Sequence, residues 1–496
     1  MAPPGMTDLG AAYGEVGAHK AGGPGRNRTV TRIVIMGGGP AGYEAALVAA
    51  QNAAEVTLIE PEGLGGACVL YDCVPSKTFI ASSGARSSAR DARELGIRSR
   101  SEDTDVDVAV VHGRVKGLAL AQSADVRSRV RREGVRVLTG RARFTSPTKG
   151  MAQHHVGVDL ADGGFEELLA DVVLIATGAT PRILKGAEPD GKRILTWRQL
   201  YDLPELPEHL AVIGSGVTGV EFASAYTEMG VKVTMISSRD RVLPHEDADA
   251  AAVLEEVFAE RGTEVVKHAR AEKVERTDTG VLIHLADGRQ VEAGHALMTV
   301  GSVPNTADIG LERIGIEPDR GGYIPVDRVS RTSVPGVYAA GDCTGVLLLA
   351  SVAAMQGRIA MWHALGEGVT PIKLKTVAAN VFTHPEIATV GISQQAIDSG
   401  EVPARTVMMP LATNPRAKME GLRRGFLKVF CRPQTGVVVG GVVVAPNASE
   451  LILPIAMAVQ NQITVDNLAA TFSVYPSLSG SLTEACRQLM RHDDLD

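Results

Sequence analysis

Two cysteines stand close together near the start of the chain, and such a pair of thiols can form a disulfide that carries electrons. Cys68 and Cys73 are five positions apart in the segment 65–77. On a regular helix this separation corresponds to a rotation of ~140°, so the two side chains would point apart. A disulfide therefore requires an irregular turn that brings the Cα atoms within ~7 Å. A helix N-terminus at this place would also stabilise a thiolate.

A glycine-rich turn upstream of the cysteines is typical of a dinucleotide site. Residues 31–60 predict a strand, a GxGxxG turn, a helix over 43–50, a strand and an acid, in that order. In this pattern Gly37 permits the tight turn, Gly39 lets the backbone approach a pyrophosphate, and Gly42 lets the helix pack on the strand. The free N–H groups of the helix N-terminus face the phosphates. The acid, Glu60, could accept hydrogen bonds from a ribose diol.

The same pattern recurs over residues 210–239. Gly214, Gly216 and Gly219 supply the second GxGxxG turn. The strand after it ends in Ser-Ser-Arg rather than in an acid, so nothing there would repel a 2′-phosphate. Arg239 or Arg241 could pair with that phosphate, which predicts that this site accepts NADPH, either as well as NADH or instead of it. The alternative is that both arginines are solvated surface groups.

Two dinucleotide folds in one chain predict two dinucleotides, one held permanently and one exchanged. Hydride transfer between a nicotinamide and a flavin is the reaction that pairs two such ligands. Apolar strands at 171–178, 296–301 and 337–342 indicate that the second nucleotide fold is inserted between two parts of the first. The last of these strands ends at Asp342, which either binds ribityl hydroxyls of a flavin or is a solvated turn residue.

These patterns predict an α/β chain with two Rossmann-like dinucleotide-binding domains and a C-terminal α+β domain. From about residue 371 the pattern changes to two adjacent strands, 425–430 and 436–444, and an apolar helix over 448–462. A large apolar face in this part would suit dimerisation. The predicted boundaries are a disordered tail at 1–29, an FAD-binding domain at 30–180 and 305–370, an NAD(P)-binding domain at 181–304, and an interface domain at 371–496.

Composition excludes several other classes of protein. The 496 residues carry 50 basic and 57 acidic side chains and no basic tract, which argues against nucleic-acid binding. No apolar run reaches the ~18 residues that a membrane span needs. Five cysteines without a signal peptide indicate the cytoplasm. We interpret Cys343, Cys431 and Cys486 as packing residues, and we predict no metal site because metal-ligand spacing is missing.

The chain resembles the flavoprotein disulfide reductases, such as dihydrolipoyl dehydrogenase, glutathione reductase and mercuric reductase, over roughly residues 30–490. The motifs that carry the resemblance are the first GxGxxG with Glu60, Cys68 and Cys73 with Pro75-Ser76-Lys77, Ala176-Thr177-Gly178, the second GxGxxG with Glu221, Gly301 with Pro304-Asn305, Gly341-Asp342 and Thr383-His384-Pro385-Glu386.

This resemblance implies a homodimer that holds one FAD tightly in each subunit and exchanges NAD(P)H. It implies that Glu60 binds the adenosine ribose and Asp342 the ribityl chain of FAD. It also implies that Lys77 lies by flavin N5 and pairs with Glu221. The remaining residues that the resemblance places at the cofactors are Gly66, Thr177, Gly178, Gly301 and Gly341.

Two departures from the family pattern bear on the reaction. Between the cysteines, Leu70 and Asp72 stand where the family has Asn and Gly, and a carboxylate at Asp72 would raise the pKa of Cys73. Near the C-terminus, Tyr475 and Gly480 stand where dithiol-active members have a His and a Glu. The reference pKa of Tyr is ~10, whereas that of His is ~6.5, so Tyr is a poor base at neutral pH. Losing a positioned general base typically lowers the reaction rate ~10²–10⁴-fold.

We therefore expect an FAD-dependent NAD(P)H:quinone oxidoreductase, in which reduced flavin passes electrons to a quinone or another small acceptor near Tyr475. The chain also resembles actinobacterial NAD(P)H-quinone reductases of this family at Thr196-Trp197-Arg198, residues 350–355 and Tyr475-Pro476. The main alternative is dihydrolipoyl dehydrogenase or another thiol–disulfide oxidoreductase that uses Cys68 and Cys73. It would need a base such as Glu484, or His384, which we expect at the surface. A non-catalytic regulatory flavoprotein is the third hypothesis.

Overall fold

The structure is a computed structural model that describes residues 30–97, 105–147 and 153–490. The predicted tail at 1–29 lies outside the described residues. Up to residue 181, the helices and strands are β1 (Arg32–Met36), α1 (Pro40–Gln51), β2 (Glu55–Ile59), α2 (Gly66–Leu70), α3 (Cys73–Asp91), α4 (Val108–Arg132), β3 (Arg136–Leu138), β4 (Gly140–Phe144), β5 (His154–Leu160), β6 (Phe165–Ala170), β7 (Val172–Ile175) and β8 (Ala179–Pro181).

The second stretch of the chain repeats the strand–turn–helix order and then adds an antiparallel sheet. Its elements are β9 (Ile194–Leu195), β10 (His209–Ile213), α5 (Val217–Glu228), β11 (Lys232–Ile236), α6 (Ala248–Glu260), β12 (Glu264–Val266), β13 (Ala271–Arg276), β14 (Val281–Leu285), β15 (Gln290–Ala293), β16 (His295–Met298) and β17 (Ser302–Pro304). The chain then forms α7 (Leu311–Ile314), β18 (Val337–Ala339) and α8 (Ala350–Ala364).

Two parallel five-stranded sheets organise these elements. The first has the order β18-β7-β1-β2-β3, and the second has the order β12-β11-β10-β16-β9. The chain leaves the first sheet after β7, builds the second sheet, and returns to the first with β18. The short strands β8 and β17 pair antiparallel where the chain leaves and returns. This topology confirms the predicted α/β fold with a second nucleotide fold inserted in the first.

The strands of the first sheet are buried because α1 and α8 cover one face and the antiparallel strands β4, β5 and β6 cover the other. In β1 the residues Ile33 to Met36 are at most 3% exposed, as expected for a strand that is covered on both faces. Close approach of α1 to α8 depends on Gly357, where an added Cβ would lie 2.1 Å from the carbonyl oxygen of Ala41. The packing of the first sheet thus fixes the N-terminus of α1 at the carboxyl ends of β1 and β7.

The C-terminal part forms an antiparallel sheet with the strand order β19-β20-β23-β22-β21 and helices packed against it. Its elements are β19 (Ala378–Val381), β20 (Glu386–Gly391), α9 (Gln394–Asp398), β21 (Arg405–Pro410), α10 (Pro415–Met419), β22 (Phe426–Cys431), β23 (Val438–Ala445), α11 (Ala448–Leu451), α12 (Leu453–Asn461), α13 (Val465–Ala469) and α14 (Gly480–Leu489).

The predicted α+β architecture of this part is confirmed, and the two adjacent strands predicted here are β22 and β23. The single apolar helix predicted over 448–462 is wrong in one respect, because the structure divides it into α11 and α12. Pro454 lies in the first turn of α12 and has no N–H to donate to a preceding turn.

A buried lysine ties this C-terminal sheet to the second nucleotide fold. The Lys428 side chain on β22 is 2% exposed, and its Nζ lies 2.8 Å from Asp247 and 2.7 Å from Asp249. Asp247 also caps α6 by accepting the backbone N–H groups of Asp249 and Ala250. The ion pair therefore joins the two parts through the first turn of α6.

Replacing Lys428 tests how much its ion pair with Asp247 stabilises the protein. Lys428→Ala leaves the buried Asp247 carboxylate without a cation, and we expect a loss of about 3–5 kcal/mol in the free energy of unfolding. Lys116→Ala is the matched control, because Lys116 and Asp202 form an exposed pair worth about 0–1 kcal/mol. Urea unfolding followed by circular dichroism gives both values, and equal losses in the two variants would contradict the assignment.

Candidate functional site

The two cysteines come together because the helix is interrupted between them. Helix α2 ends at Leu70, the backbone turns at Tyr71 (φ −135°, ψ −19°) and Asp72 (φ −119°, ψ −97°), and α3 begins at Cys73. The Cys73 thiol donates a hydrogen bond to the sulfur of Cys68. This is the irregular turn that a cysteine pair with this spacing requires.

The contact between the thiols makes them unequal acids. The hydrogen bond from Cys73 lowers the pKa of Cys68, since it stabilises a Cys68 thiolate. The same bond and burial raise the pKa of Cys73. Asp72 also raises the pKa of Cys73, as expected from the sequence, but it is a smaller cause than the bond and burial. The position of Cys73 at the start of α3 therefore does not make it the easier thiolate.

Lys77 lies one helical turn after Cys73 on α3 and forms an ion pair with a residue of the second nucleotide fold. Its Nζ is 2.8 Å from Oε2 of Glu221 on α5. The other carboxylate oxygen of Glu221 accepts the backbone N–H of Phe382 at 2.9 Å. Burial opposes the Lys77 charge, but the charge of Glu221 and its hydrogen bond outweigh burial and raise the pKa of Lys77. The structure thus holds a charged ammonium close to the thiol pair.

A cavity of about 590 Å³ opens beside the thiols at the carboxyl ends of β1 and β7. Most of the residues expected to bind FAD line it, together with both cysteines: Gly37, Gly39, Glu60, Gly66, Thr177, Gly178, Gly341 and Asp342. Gly42 packs beneath it, where an added Cβ would lie 1.8 Å from the carbonyl oxygen of Gly37. Lys77 and Gly301 are not among the lining residues.

The glycines of the first turn have a geometry that is compatible with the tasks predicted for them. Gly37 has a φ of +110°, and a Cβ there would lie 2.2 Å from the carbonyl oxygen of Ala176. At Gly39 an added Cβ meets nothing within 4 Å. The absence of a side chain at Gly39 therefore leaves room at the N-terminus of α1, where phosphate groups bind.

Glu60 and Asp342 are two of the acidic residues that line this cavity. Glu60 accepts backbone N–H groups from Gly38 at 2.7 Å and from Glu62 at 2.9 Å. Burial raises the pKa of Glu60, although these bonds oppose the change. Burial, and then the charge of Asp72, raise the pKa of Asp342 to about 6. Both groups are placed to accept hydrogen bonds from hydroxyl groups when ionised.

The second glycine turn repeats this geometry. A Cβ on Gly214 would lie 2.3 Å from the carbonyl oxygen of Thr299, and a Cβ on Gly219 would lie 2.0 Å from that of Gly214. A Cβ on Gly216 meets nothing within 4 Å. The turn therefore offers a second cradle for phosphate groups at the N-terminus of α5.

The end of the second nucleotide strand differs from the first in its charge. In the first fold Glu60 binds the N–H of Gly38, whereas at the matching place Ser237 Oγ lies 2.7 Å from Ser215 Oγ. Arg241 donates to the carbonyl oxygens of Pro244 and Glu246. Arg239 is exposed. Of the two arginines, Arg239 is the one available to a ligand.

Tyr475 projects into solvent in the single chain, with 81% of its surface exposed, and Phe472 and Val474 beside it are also exposed.

Neither alternative base is suited to dithiol chemistry. Glu484 pairs with Arg487, which lowers its pKa to about 2. His384 is partly buried rather than at the surface as expected. Burial and Arg261 lower its pKa to about 4.

Sequence reasoning assigned no site role to Tyr71, Trp197 or Arg198. The guanidinium of Arg198 lies 4.5 Å from the centre of the Tyr71 ring, and Trp197 and Arg198 line the cavity. Trp197 and Arg198 are distant in sequence from Tyr71, which lies between the cysteines, so no local spacing could reveal the contact. Cys343, Cys431 and Cys486 are fully buried, as expected of packing residues.

No group of His, Cys, Asp or Glu side chains in the described residues is arranged to hold a metal ion. No helix within the described ranges is long and apolar enough to cross a membrane.

Two family models match the chain. The model for pyridine nucleotide-disulphide oxidoreductases matches residues 31–357, and the model for the dimerisation domain of the same proteins matches residues 377–486. Together the matched segments contain both glycine turns, the cysteine pair and the C-terminal sheet.

Curated relatives include two kinds of enzyme. An NAD(P)H dehydrogenase (quinone) of Mycobacterium tuberculosis is 64% identical over 94% of this chain and 95% of its own length. A dihydrolipoyl dehydrogenase of Chlorobaculum parvum is 33% identical over 91% of this chain and 96% of its own length. Both similarities extend over almost the whole length of the chain.

Solved structures with the same fold include LpdA from Mycobacterium tuberculosis, with a TM-score of 0.90 and 63% identity over 93% of this chain and 100% of that chain. The HOCl-induced flavoprotein disulfide reductase RclA from Escherichia coli has a TM-score of 0.80 and 25% identity over 92% of this chain and 99% of that chain.

Substituting alanine for Gly39 and for Gly216 tests the two predicted phosphate-binding turns separately. Gly39→Ala fills space at α1, so we expect at least about tenfold weaker FAD binding and an unchanged melting temperature of the apoprotein. Gly216→Ala is the matched control, because it should weaken NAD(P)H binding and leave the FAD content of the purified protein unchanged. Fluorescence titration measures both affinities, and equal effects of the two variants on FAD would contradict the assignment.

The raised pKa of Asp342 predicts how the stability of the apoprotein depends on pH. Between the unfolded pKa of ~3.9 and the native value of about 6, the native state binds more protons. The free energy of unfolding therefore falls by about 2–3 kcal/mol as the pH rises through this window. Asp342→Asn should remove this fall, whereas Asp202→Asn at an exposed position should retain it. Identical pH profiles of all three proteins in urea unfolding would refute the assignment.

Proposed function

The chain belongs to the pyridine nucleotide-disulphide oxidoreductase family, and we propose that it is an FAD-dependent NAD(P)H:quinone oxidoreductase. Family membership implies the use of FAD and NAD(P)H. The observation that carries the choice of a quinone is at the C-terminal end, where Tyr475 and Gly480 replace the His and Glu of dithiol-active members. The 64% identical relative named for quinone reduction supports the same choice.

The first cavity suits FAD, because it combines an open glycine turn with two carboxyl groups, those of Glu60 and Asp342, that can accept hydrogen bonds from hydroxyl groups. The N–H groups at the N-terminus of α1 and the turn at Gly39 would hold the pyrophosphate. Glu60 would bind the adenosine ribose and Asp342 the ribityl chain, while Gly66, Thr177, Gly178 and Gly341 border the space. Bound FAD supplies the ability to accept a hydride from NAD(P)H and pass the electrons on. One FAD is held tightly in each subunit.

The second cradle would hold the exchanging nucleotide at Gly214, Gly216 and Gly219, with Gly301 at the edge where the chain returns to the first fold. Ser237 contacts Ser215 where the first fold has the carboxylate of Glu60, so this position does not repel a 2′-phosphate. The exposed Arg239 is free to pair with one. The enzyme therefore accepts NADPH as well as NADH.

The quinone, or another small-molecule acceptor, requires neither a thiol nor a general base that acts on a thiol. Lys77, held by Glu221, keeps a positive charge near the thiols and the cavity. In the homodimer, Tyr475 of one subunit would line the acceptor pocket of the other, which accounts for an exposed aromatic residue in the single chain. A cytoplasmic location stays a prediction.

A thiol–disulfide oxidoreductase is the second candidate, and the contact between Cys68 and Cys73 favours it. The relatives named dihydrolipoyl dehydrogenase agree with it. Against it stand the raised pKa of Cys73 and the lack of a suitable base at Tyr475, Glu484 or His384.

Removing the thiols separates the two candidates. We expect Cys68→Ala and Cys73→Ala to reduce menadione with NAD(P)H at the wild-type rate, because the acceptor takes electrons without a disulfide. Lipoamide reduction should be at least ~10²-fold slower than menadione reduction in the wild type, since the base is missing. Cys343→Ala is the matched control for a buried thiol outside the pair. Rapid lipoamide reduction that disappears in either variant would establish the second candidate instead.

Reversing the charge at Arg239 tests the nucleotide site. Arg239→Glu should raise the KM for NADPH about tenfold or more and leave that for NADH nearly unchanged, because only NADPH carries the 2′-phosphate. Arg289→Glu serves as a control, because Arg289 is exposed on the same nucleotide fold but pairs with Asp287. If Arg239→Glu changes neither KM, Arg239 is a solvated surface residue.

A further inference from the structure

Asp72 places a carboxyl group in the wall of the cavity, directly before Cys73. It is the residue before the first turn of α3, but its side chain makes no capping hydrogen bond. By contrast, Asp107 and Asp247, which occupy the same position before α4 and α6, accept backbone N–H groups of their helices. The carboxyl group of Asp72 is therefore not used to cap α3, and the residue lines the cavity.

The groups around Asp72 oppose one another in charge. Lys77 on α3 and Arg198 favour the carboxylate, whereas Glu221 on α5 disfavours it, and Asp72 in turn acts on Asp342. Burial is the largest influence and raises the pKa of Asp72. A ligand that fills the cavity displaces water from this wall, which raises the pKa further. Burial thus shifts the Asp72 carboxyl group toward its protonated form, against the pull of Lys77 and Arg198.

Reduction of a quinone needs such a proton. The overall reaction is NAD(P)H + H⁺ + quinone → NAD(P)⁺ + hydroquinone, in which the nicotinamide is oxidised and the quinone is reduced. The hydride carries two electrons and one proton, so one further proton must reach a quinone oxygen. The His that could supply protons across the interface in dithiol-active members is replaced by Tyr475.

We propose that Asp72 is the proton donor for this step, an inference that rests on the proposed quinone reductase function. The O–H bond of the Asp72 carboxyl group breaks as an O–H bond forms on the quinone oxygen. The Asp72 carboxylate then regains a proton from water at the mouth of the cavity. The residue that departs from the family pattern between the cysteines thereby replaces part of the acid–base function that the C-terminus lacks.

A comparison of two electron acceptors tests this role. Menadione requires a proton at its oxygen, whereas ferricyanide takes one electron and no proton. Asp72→Asn keeps the shape of the side chain but has no acidic proton, and Asp72→Gly restores the family residue. We expect both variants to reduce menadione ~10²-fold more slowly and ferricyanide at the wild-type rate. Asp202→Asn, at an exposed position outside the site, is the matched control and should change neither rate.

An infrared spectrum of the resting holoenzyme gives a readout that does not depend on turnover. Other buried carboxyl groups, such as Glu60 and Asp342, contribute to the same spectral region. The difference spectrum of wild type minus Asp72→Asn should therefore contain the carbonyl stretch of one protonated carboxyl group at neutral pH, whereas that of wild type minus Asp202→Asn should not. Unchanged FAD absorbance and melting temperature would show that the variants fold and bind FAD.

Three results would overturn the proposal: wild-type menadione turnover in both Asp72 variants, an equal loss with both acceptors, or a difference spectrum of wild type minus Asp72→Asn without the band of a protonated carboxyl group. If the wild-type protein itself reduces ferricyanide but no quinone, the proposed function fails and the role of Asp72 fails with it. If the wild type reduces quinones and the variants match it, only the role of Asp72 fails.

Discussion

The ion pair between Lys77 and Glu221 is the contact on which the arrangement of the site depends. Glu221 is 4% exposed, and a carboxylate so deeply buried requires a cation and hydrogen bonds to offset its lost hydration. Lys77 supplies the cation from α3, and the N–H of Phe382, just after β19, supplies a hydrogen bond. The pair therefore connects the thiol-bearing helix, the second nucleotide fold and the C-terminal sheet at one point.

Around this pair the charges determine which chemistry is favoured. Asp72 and Asp342 add acidic groups to the cavity, and burial raises the pKa of both. The thiol of Cys73 keeps its proton for the same reason and because it donates to Cys68. These conditions disfavour a thiolate at Cys73, but they suit an acceptor that must gain protons. The change from the family residue at Asp72 and the change at Tyr475 therefore favour the same kind of acceptor.

Local patterns predicted the two nucleotide folds, because each glycine acts on its immediate surroundings. The close contacts at Gly37 and Gly214 and the open space at Gly39 and Gly216 follow directly from the GxGxxG spacing. It was harder to predict which of the two arginines after the second nucleotide strand is available to a ligand. The sequence left Arg239 and Arg241 equivalent, and only the structure shows that Arg241 is occupied by loop carbonyl groups.

Contacts between distant segments could not be derived from spacing. The pairing of Lys77 with Glu221 was expected only from the family resemblance, and the contact of Arg198 with Tyr71 was not expected. The orientation of Asp72 was also hidden, since an Asp before a helix usually caps it. Helix 448–462 was predicted as one element because its apolar pattern continues past Pro454, whereas the backbone divides there.

The central claim is that electrons reach the acceptor without passing through the thiol pair. The most direct test is a single anaerobic turnover in which enzyme reduced with one equivalent of NADPH is mixed with menadione in a stopped-flow instrument. Flavin absorbance follows reoxidation, and the accessible thiols are counted with a chromogenic reagent after quenching. The account predicts reoxidation at least as fast as steady-state turnover, with an unchanged thiol count. Reoxidation that occurs only as Cys68 and Cys73 convert to a disulfide would contradict it.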